Sequence, residues 1–330
     1  MRTDRAAPTL PLVGLVLLAL VFAGCQAEAR VRSGAPAFSR EIQQKRIERL
    51  IVESGAETVA VAFCDLATGK EFLIKPDENF HAASTMKVPV MIEVFKQVHA
   101  RKLSLDDRIP VKNEFASIVD GSPYSLSPDT DSDGSLYNAI GRAETIRILL
   151  RLMIDVSSNL ATNLLIERVT AERVMETMQE IGARNIRVLR GVEDGKAFQK
   201  GLNNTTTARD LMVILRQIAE HRVVSTSASK EMIEMMLDQT FNEGIPAGLP
   251  KDVRVAHKTG SITGINHDAA IVYPPGRKPY VLVVLTRGLA DEGKAQMLIK
   301  EISREVYGSL NNKKRGQRSE VTDRLLTSDF

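Results

Sequence analysis

Apolar positions along this chain follow two rhythms, and the switches between them outline the architecture. Ile47, Leu50 and Ile51 share one face of a helix expected from about Glu41 to Glu53, with Ser39 to cap it and Gly55 to end it. The rhythm then changes to the run Val59-Ala60-Val61-Ala62-Phe63, which predicts a strand over Thr58 to Asp65. Ala67-Thr68-Gly69 is a turn signal, and Glu71 to Ile74 reads as the return strand. A helix is expected from near Ser84, because Pro89 has no amide hydrogen to donate and sits best in a first turn.

The middle of the chain keeps the helical spacing of three and four over Glu144 to Met153, Asn159 to Val169, Ala171 to Ile181 and Ala208 to Arg222. Thr170 and Thr207 stand where N-caps belong, Gly182 where a helix would end, and a further helix is expected over Ala228 to Leu237. Residues rich in β-branched side chains then predict strands at Val253 to His257, Ala269 to Tyr273 and Tyr280 to Thr286. A last helix, Glu292 to about Tyr307, should stop at Gly308. This order gives an α+β fold: a five-stranded antiparallel sheet, flanked by the terminal helices and split in sequence by an inserted all-helical domain. The sheet part is expected over 39–83 and 240–308 and the helical part over 84–239. Residues 309–330 are charged and poor in apolar side chains, and are expected to be disordered.

The first 25 residues do not belong to this fold. Arg2 and Arg5 precede an apolar run from Leu10 to Ala23, which is short for a membrane span and fits the apolar region of an export signal. Phe22-Ala23-Gly24-Cys25 resembles a bacterial lipobox, with Phe22 in place of the usual Leu, so Cys25 is a candidate for lipidation. An exported chain is expected, in the periplasm and anchored to the membrane by lipid at Cys25, with simple secretion as the other reading and residues 26–38 as a tether. Cys64 would then have no partner and reads as a small buried hydrophobe. The 44 basic and 41 acidic residues nearly cancel, which gives no reason to expect a nucleic-acid partner.

The chemistry concentrates in three short motifs. Ser84-Thr85-Met86-Lys87 places a hydroxyl and an amine three residues apart, on one face of a helix. A serine is a weak nucleophile until a base takes its proton, and a lysine can serve once burial and a neighbouring cation favour its neutral form. At a helix start, Ser84 would also lie near unpaired amide groups and the positive end of the helix dipole. Taken alone, these four letters also describe a capping Ser with a solvated Lys. Ser157-Ser158-Asn159 alone could simply cap a helix, and Lys258-Thr259-Gly260 alone could be a strand end entering a turn.

The three together, in this order, resemble class A β-lactamases and the wider group of serine penicillin-recognising hydrolases, over roughly Ser39 to Tyr307. One letter differs, Ser158 where the family has Asp, and the family role of that Asp is mainly structural. The resemblance implies an acyl-enzyme on Ser84, activation by Lys87 and proton relay by Ser157. It implies substrate binding by Asn159, Lys258 and Thr259, with Gly260 letting the strand approach. Backbone N–H groups of Ser84 and Ser261 would form the oxyanion hole. The substrate would be a β-lactam or a peptidoglycan-like peptide, and the reaction calls for no cofactor or metal. The protein is expected to act as a monomer.

Deacylation is the open point. The family's β-lactamases use a Glu within Glu-x-x-Leu-Asn. Here the corresponding loop runs from about Val188 to Thr207 and offers Glu193 and Asp194, while Gln199-Lys200-Gly201-Leu202-Asn203 matches the pattern with Gln in the acid's place. Glu193 is the candidate base, and a solvated loop acid is the other reading. Without it, a D-Ala-D-Ala peptidase or esterase that deacylates β-lactams slowly is the alternative. The family often has a basic residue for the substrate carboxylate after Lys-Thr-Gly. His267 is the only candidate there, or it is a structural His held by Asp268. Asp129-Thr130-Asp131-Ser132-Asp133-Gly134 resembles the start of a calcium loop, but position twelve would be Ile140, so a polar loop is expected. The insertion that contains it, about Asn113 to Tyr137, should border the site.

Overall fold

The structure, a computed structural model, describes residues 35–326, with side chains over 44–310. The expected export signal and Cys25 lie outside these residues. Five antiparallel strands form the central sheet: β1 (Thr58–Asp65), β2 (Lys70–Ile74), β3 (Arg254–Ile262), β4 (Ile265–Tyr273) and β5 (Tyr280–Arg287). Their spatial order is β2-β1-β5-β4-β3, with Val61 opposite both Ile74 and Val284.

Alternate residues of β1 supply two separate cores. Ala60, Ala62 and Cys64 pack toward the helical block, whereas Val59, Val61 and Phe63 pack on the other side with Ile47 and Ile302. Because both faces are covered, the strand reads as a continuous apolar run rather than an alternation. Full burial of a side chain as large as Val61 or Ile47 contributes about 1.5–3 kcal/mol relative to exposure, and the smaller Ala side chains less. Cys64 is free and fully buried, and burial raises its thiol above the ordinary range.

The second core lies under α1 (Ala35–Ser54) and α9 (Glu292–Leu326), both longer than expected. α1 starts at Ala35, so residues 35–38 are helical rather than tether. Pro36 near its start is compatible with a first helical turn. α9 passes Gly308 and continues to Leu326, so the segment from 309 expected to lack structure is helical as far as it is described. Its Lys and Arg residues are good helix formers, despite the shortage of apolar groups.

The helical block comprises α2 (Lys87–His99), α3 (Ile146–Asp155), α4 (Asn159–Val169), α5 (Ala171–Glu180), α6 (Gly195–Gln199), α7 (Ala208–Ala219) and α8 (Thr226–Leu237). Side chains of Thr145, Ser158, Thr170, Asp194, Thr207 and Ser225 accept an amide hydrogen at the N-termini of α3 to α8 in turn. Each cap contributes about 1 kcal/mol. β3 and β4 are longer than their apolar cores and form one hairpin, so Lys258-Thr259-Gly260 lies within a strand, not at its end. The polar residues Lys258, Thr259, Asn266, His267 and Asp268 hide this extension, because they serve the cleft rather than the core. β3 is an edge strand, and its free edge faces the short 3₁₀ turn Ala83–Met86 that leads into α2.

Candidate active site

Two adjoining cavities meet at Ser84, and both are lined by Asn159, Thr130 and Ser261 as well. Ser157, Thr259 and Gly260 line the first, and Glu193 the second. The three motifs therefore come together between the edge strand β3 and the starts of α2 and α4. Lys87 and Lys258 are fully buried behind Ser157. Lys87 Nζ donates to Ser157 O at 2.7 Å, Ser157 Oγ at 3.1 Å and Asn159 Oδ1 at 2.8 Å. Lys258 Nζ donates to the same Ser157 Oγ at 3.0 Å and to Thr259 O at 3.2 Å. One hydroxyl thus joins two amines. Lys87 makes these bonds rather than one to Ser84, whose hydroxyl has no hydrogen-bond partner among the described residues.

Two buried ammonium groups this close repel each other and lack water. Burial drives the Lys87 amine well below its ordinary range and the positive charge of Lys258 adds to this, while Asp131 and Glu193 oppose it. Burial likewise drives Lys258 down to about 7, against the opposing charges of Asp268 and Asp155. Two amines that share one serine hydroxyl offer a path along which a proton can move.

The backbone around the cleft is strained. Ala83, Ser157 and Glu193 adopt φ of 45°, 59° and 62°, the left-handed region that non-glycine residues avoid. Such positions cost about 1–3 kcal/mol each and persist where surrounding contacts enforce them. Gly260 answers a different demand. A Cβ there would lie 3.1 Å from Ser84 N and 3.2 Å from Ala83 Cβ, so a larger residue would push the nucleophile turn back by a few tenths of an ångström.

The loop before α6 separates its two acids. Asp194 is buried and accepts from Ser117 Oγ at 2.9 Å, Ile118 N at 3.0 Å and Ala197 N at 3.1 Å, which consumes it as a structural cap. Glu193 faces the cleft, and its Oε1 accepts from Asn159 Nδ2 at 2.8 Å. Loss of hydration raises the Glu193 carboxyl above its usual range, and the Asn159 bond opposes this. Its position is fixed from both sides. Asn163 of α4 donates to Val192 O at 3.1 Å and accepts from Val192 N at 2.6 Å, and it comes so close to Gly191 that a Cβ there would sit 2.4 Å from Asn163 Oδ1. The buried Arg190 guanidinium donates to Leu202 O at 2.9 Å, Gly191 O at 2.9 Å and Asn203 Oδ1 at 3.3 Å. Asn203 thus serves the loop's closure, while Gln199 lies exposed on α6.

His267 is not the missing cation. It is buried, with Nε2 2.9 Å from His81 O and Nδ1 2.8 Å from Asn266 O, and burial lowers it to about 4. Asp268 does not hold it either, since its Oδ1 lies 2.9 Å from His257 Nδ1.

The model of the "Beta-lactamase enzyme family" matches residues 43–310. The chain belongs to the beta-lactamase enzyme family. It is 26% identical to a beta-lactamase of Bacillus licheniformis over 310 residues, which is 90% of this chain and 94% of that one. An ancestral class A β-lactamase superposes with a TM-score of 0.70 at 25% identity, covering 81% of this chain and 99% of the other. A variant of PBP-A, solved as an acyl-enzyme complex with penicillin G, has a TM-score of 0.67 at 26% identity over 82% of this chain and 97% of that one.

Within that family, this chain's departure at Ser158 is balanced by residues that the sequence does not mark. Asp131 and Ser132 enter the cleft from the Ser- and Pro-rich insertion. Asp131 lies 28 residues before Asn159, in a polar loop without periodicity. The only hint in the sequence is that an acid absent from one motif leaves amide groups that another residue must satisfy.

Proposed function

We propose that this chain is an exported serine hydrolase that opens the β-lactam amide through an acyl-enzyme on Ser84. The observation that carries the proposal is the meeting of two buried lysines at Ser157 Oγ, directly behind a serine that lines both cavities. Neutral Lys87 takes the Ser84 proton as Oγ attacks the lactam carbonyl carbon. Backbone N–H groups of Ser84 and Ser261 receive the oxyanion that forms. The C–N bond breaks as the proton passes through Ser157 to the leaving nitrogen. Lys258 and Thr259 hold the substrate carboxylate, and Asn159 holds the acyl side-chain amide. Glu193 then takes a proton from water as its oxygen attacks the ester carbonyl; the bond between the acyl carbon and Ser84 Oγ breaks, and the proton held by Glu193 passes to Ser84 Oγ, which leaves a hydroxyl on Ser84 and a carboxylate on Glu193.

The N-terminal segment, with its basic start, apolar run and Cys25, supports export to the periplasm and a lipid anchor. Action as a monomer is part of the same proposal.

The test is turnover of a chromogenic cephalosporin by purified protein across pH. The free enzyme loses the Lys258 charge as pH rises through about 7. KM for a substrate carboxylate should therefore rise above that pH, by up to about tenfold per unit. No turnover at high enzyme concentration contradicts the proposal, and a KM flat across that range removes the carboxylate role of Lys258.

A further inference from the structure

The carboxylate at the start of α4 comes from a distant loop. Ser158, where the family has Asp, is fully buried and caps α4 through one bond of 3.3 Å from Ala161 N. That leaves the amides of Asn159 and Leu160, two of the donors that a helix start presents without internal partners. Asp131 takes both: Oδ1 accepts from Asn159 N at 2.8 Å and Oδ2 from Leu160 N at 2.9 Å. The carboxylate is itself fixed by Tyr137 OH at 3.0 Å and Asp133 N at 3.3 Å. The next residue acts on the other side of the motif. Ser132 Oγ donates at 2.8 Å to Ser157 O, the carbonyl that also accepts from Lys87 Nζ. Two consecutive loop residues thus grip the left-handed Ser157 turn at both ends.

We propose that Asp131 is a positioning residue that sets Ser157 and Asn159 against Lys87, doing from the insertion what the motif's own second residue does not do here. The proposal rests on the acyl-enzyme reading of Ser84 for its kinetic consequence, but not for its structural one. The charged groups that face Lys87 are Lys258 from β3, Glu193 from the loop before α6, and Asp131. Asp131 is therefore also one of two anions that hold the Lys87 proton. Removing its charge makes Lys87 neutral at lower pH, so the acidic limb of acylation moves down while misplacement of Ser157 lowers the plateau.

The experiment compares wild type, Asp131→Asn, Asp131→Ala and Tyr137→Phe by stopped-flow acylation with a chromogenic cephalosporin across pH, with melting curves and amide hydrogen exchange on the same samples. Folded Asp131→Ala is expected to acylate about 10- to 100-fold more slowly, as a misplaced catalytic group would. Asp131→Asn, which keeps the shape but offers one acceptor, should fall between it and wild type with its acidic limb shifted to lower pH. Tyr137→Phe, which leaves α4 untouched, should lose less in the same direction. Exchange at Asn159 N and Leu160 N should quicken by about tenfold or more in Asp131→Ala. Wild-type acylation with an unmoved limb in folded variants overturns the proposal. So does a loss of rate fully explained by a lower folded fraction. If wild type itself fails to acylate, the reading of Ser84 fails, and exchange alone decides: unchanged protection of the two amides overturns the positioning role, and its loss supports it.

Discussion

Replacing Ser84 by alanine is expected to reduce β-lactam turnover by about 10⁴-fold or more, because no other group supplies the acyl-acceptor oxygen. The fold should be indifferent to the change. Ser84 Oγ has no hydrogen-bond partner among the described residues, and the turn that carries it is held by Thr85, whose Oγ1 donates to Ala82 O at 2.6 Å. Stability should therefore stay within about 0.5 kcal/mol of wild type. Paired melting curves and turnover rates check this. An alanine variant that melts normally and still turns over would exclude Ser84 as the nucleophile.

Replacing Glu193 by glutamine should separate the two halves of the reaction. The glutamine carbonyl oxygen can still accept the Asn159 Nδ2 hydrogen bond that Glu193 accepts at 2.8 Å, so the loop should keep its place. What disappears is the base. Acylation should survive, while release of the acyl group slows by about 10²- to 10⁴-fold, the usual contribution of a general base. A labelled penicillin would then remain on the protein long after wild type has shed it. If the two proteins release label at the same rate, Glu193 is a loop acid. A wild type that itself held the label for hours would then belong with the peptidases and esterases that deacylate β-lactams slowly.

Much of this site is legible in the sequence because the chemistry is local. Ser84 and Lys87 lie in one turn, Ser157 and Asn159 in another, and Lys258 to Ser261 on one strand. The apolar run of β1 and the capped helix α4 were legible for the same reason: burial and capping act on neighbouring residues. What is not local stays hidden. Lys87 bonds across to Ser157 and Asn159 instead of back to Ser84, since the turn leading into α4 and the first residue of α4 together present three acceptors to it. His267 reads in the sequence as a possible cation, yet burial in the interior keeps it neutral, against the pull of the two backbone carbonyls beside its ring nitrogens. The polar stretch of β3 and β4 did not look like strand, because its side chains serve a cleft. Asp131 could not be read at all. It works through a contact 28 residues away, from a loop whose acids resembled a metal site.

The most direct measurement of the central claim is a time course of intact mass for the wild-type protein mixed with a penicillin. The account predicts a transient gain of one whole penicillin mass, confined to the peptide that carries Ser84, and its decay as ring-opened product accumulates. No adduct and no product at saturating penicillin, or an adduct on a peptide other than that of Ser84, would contradict it.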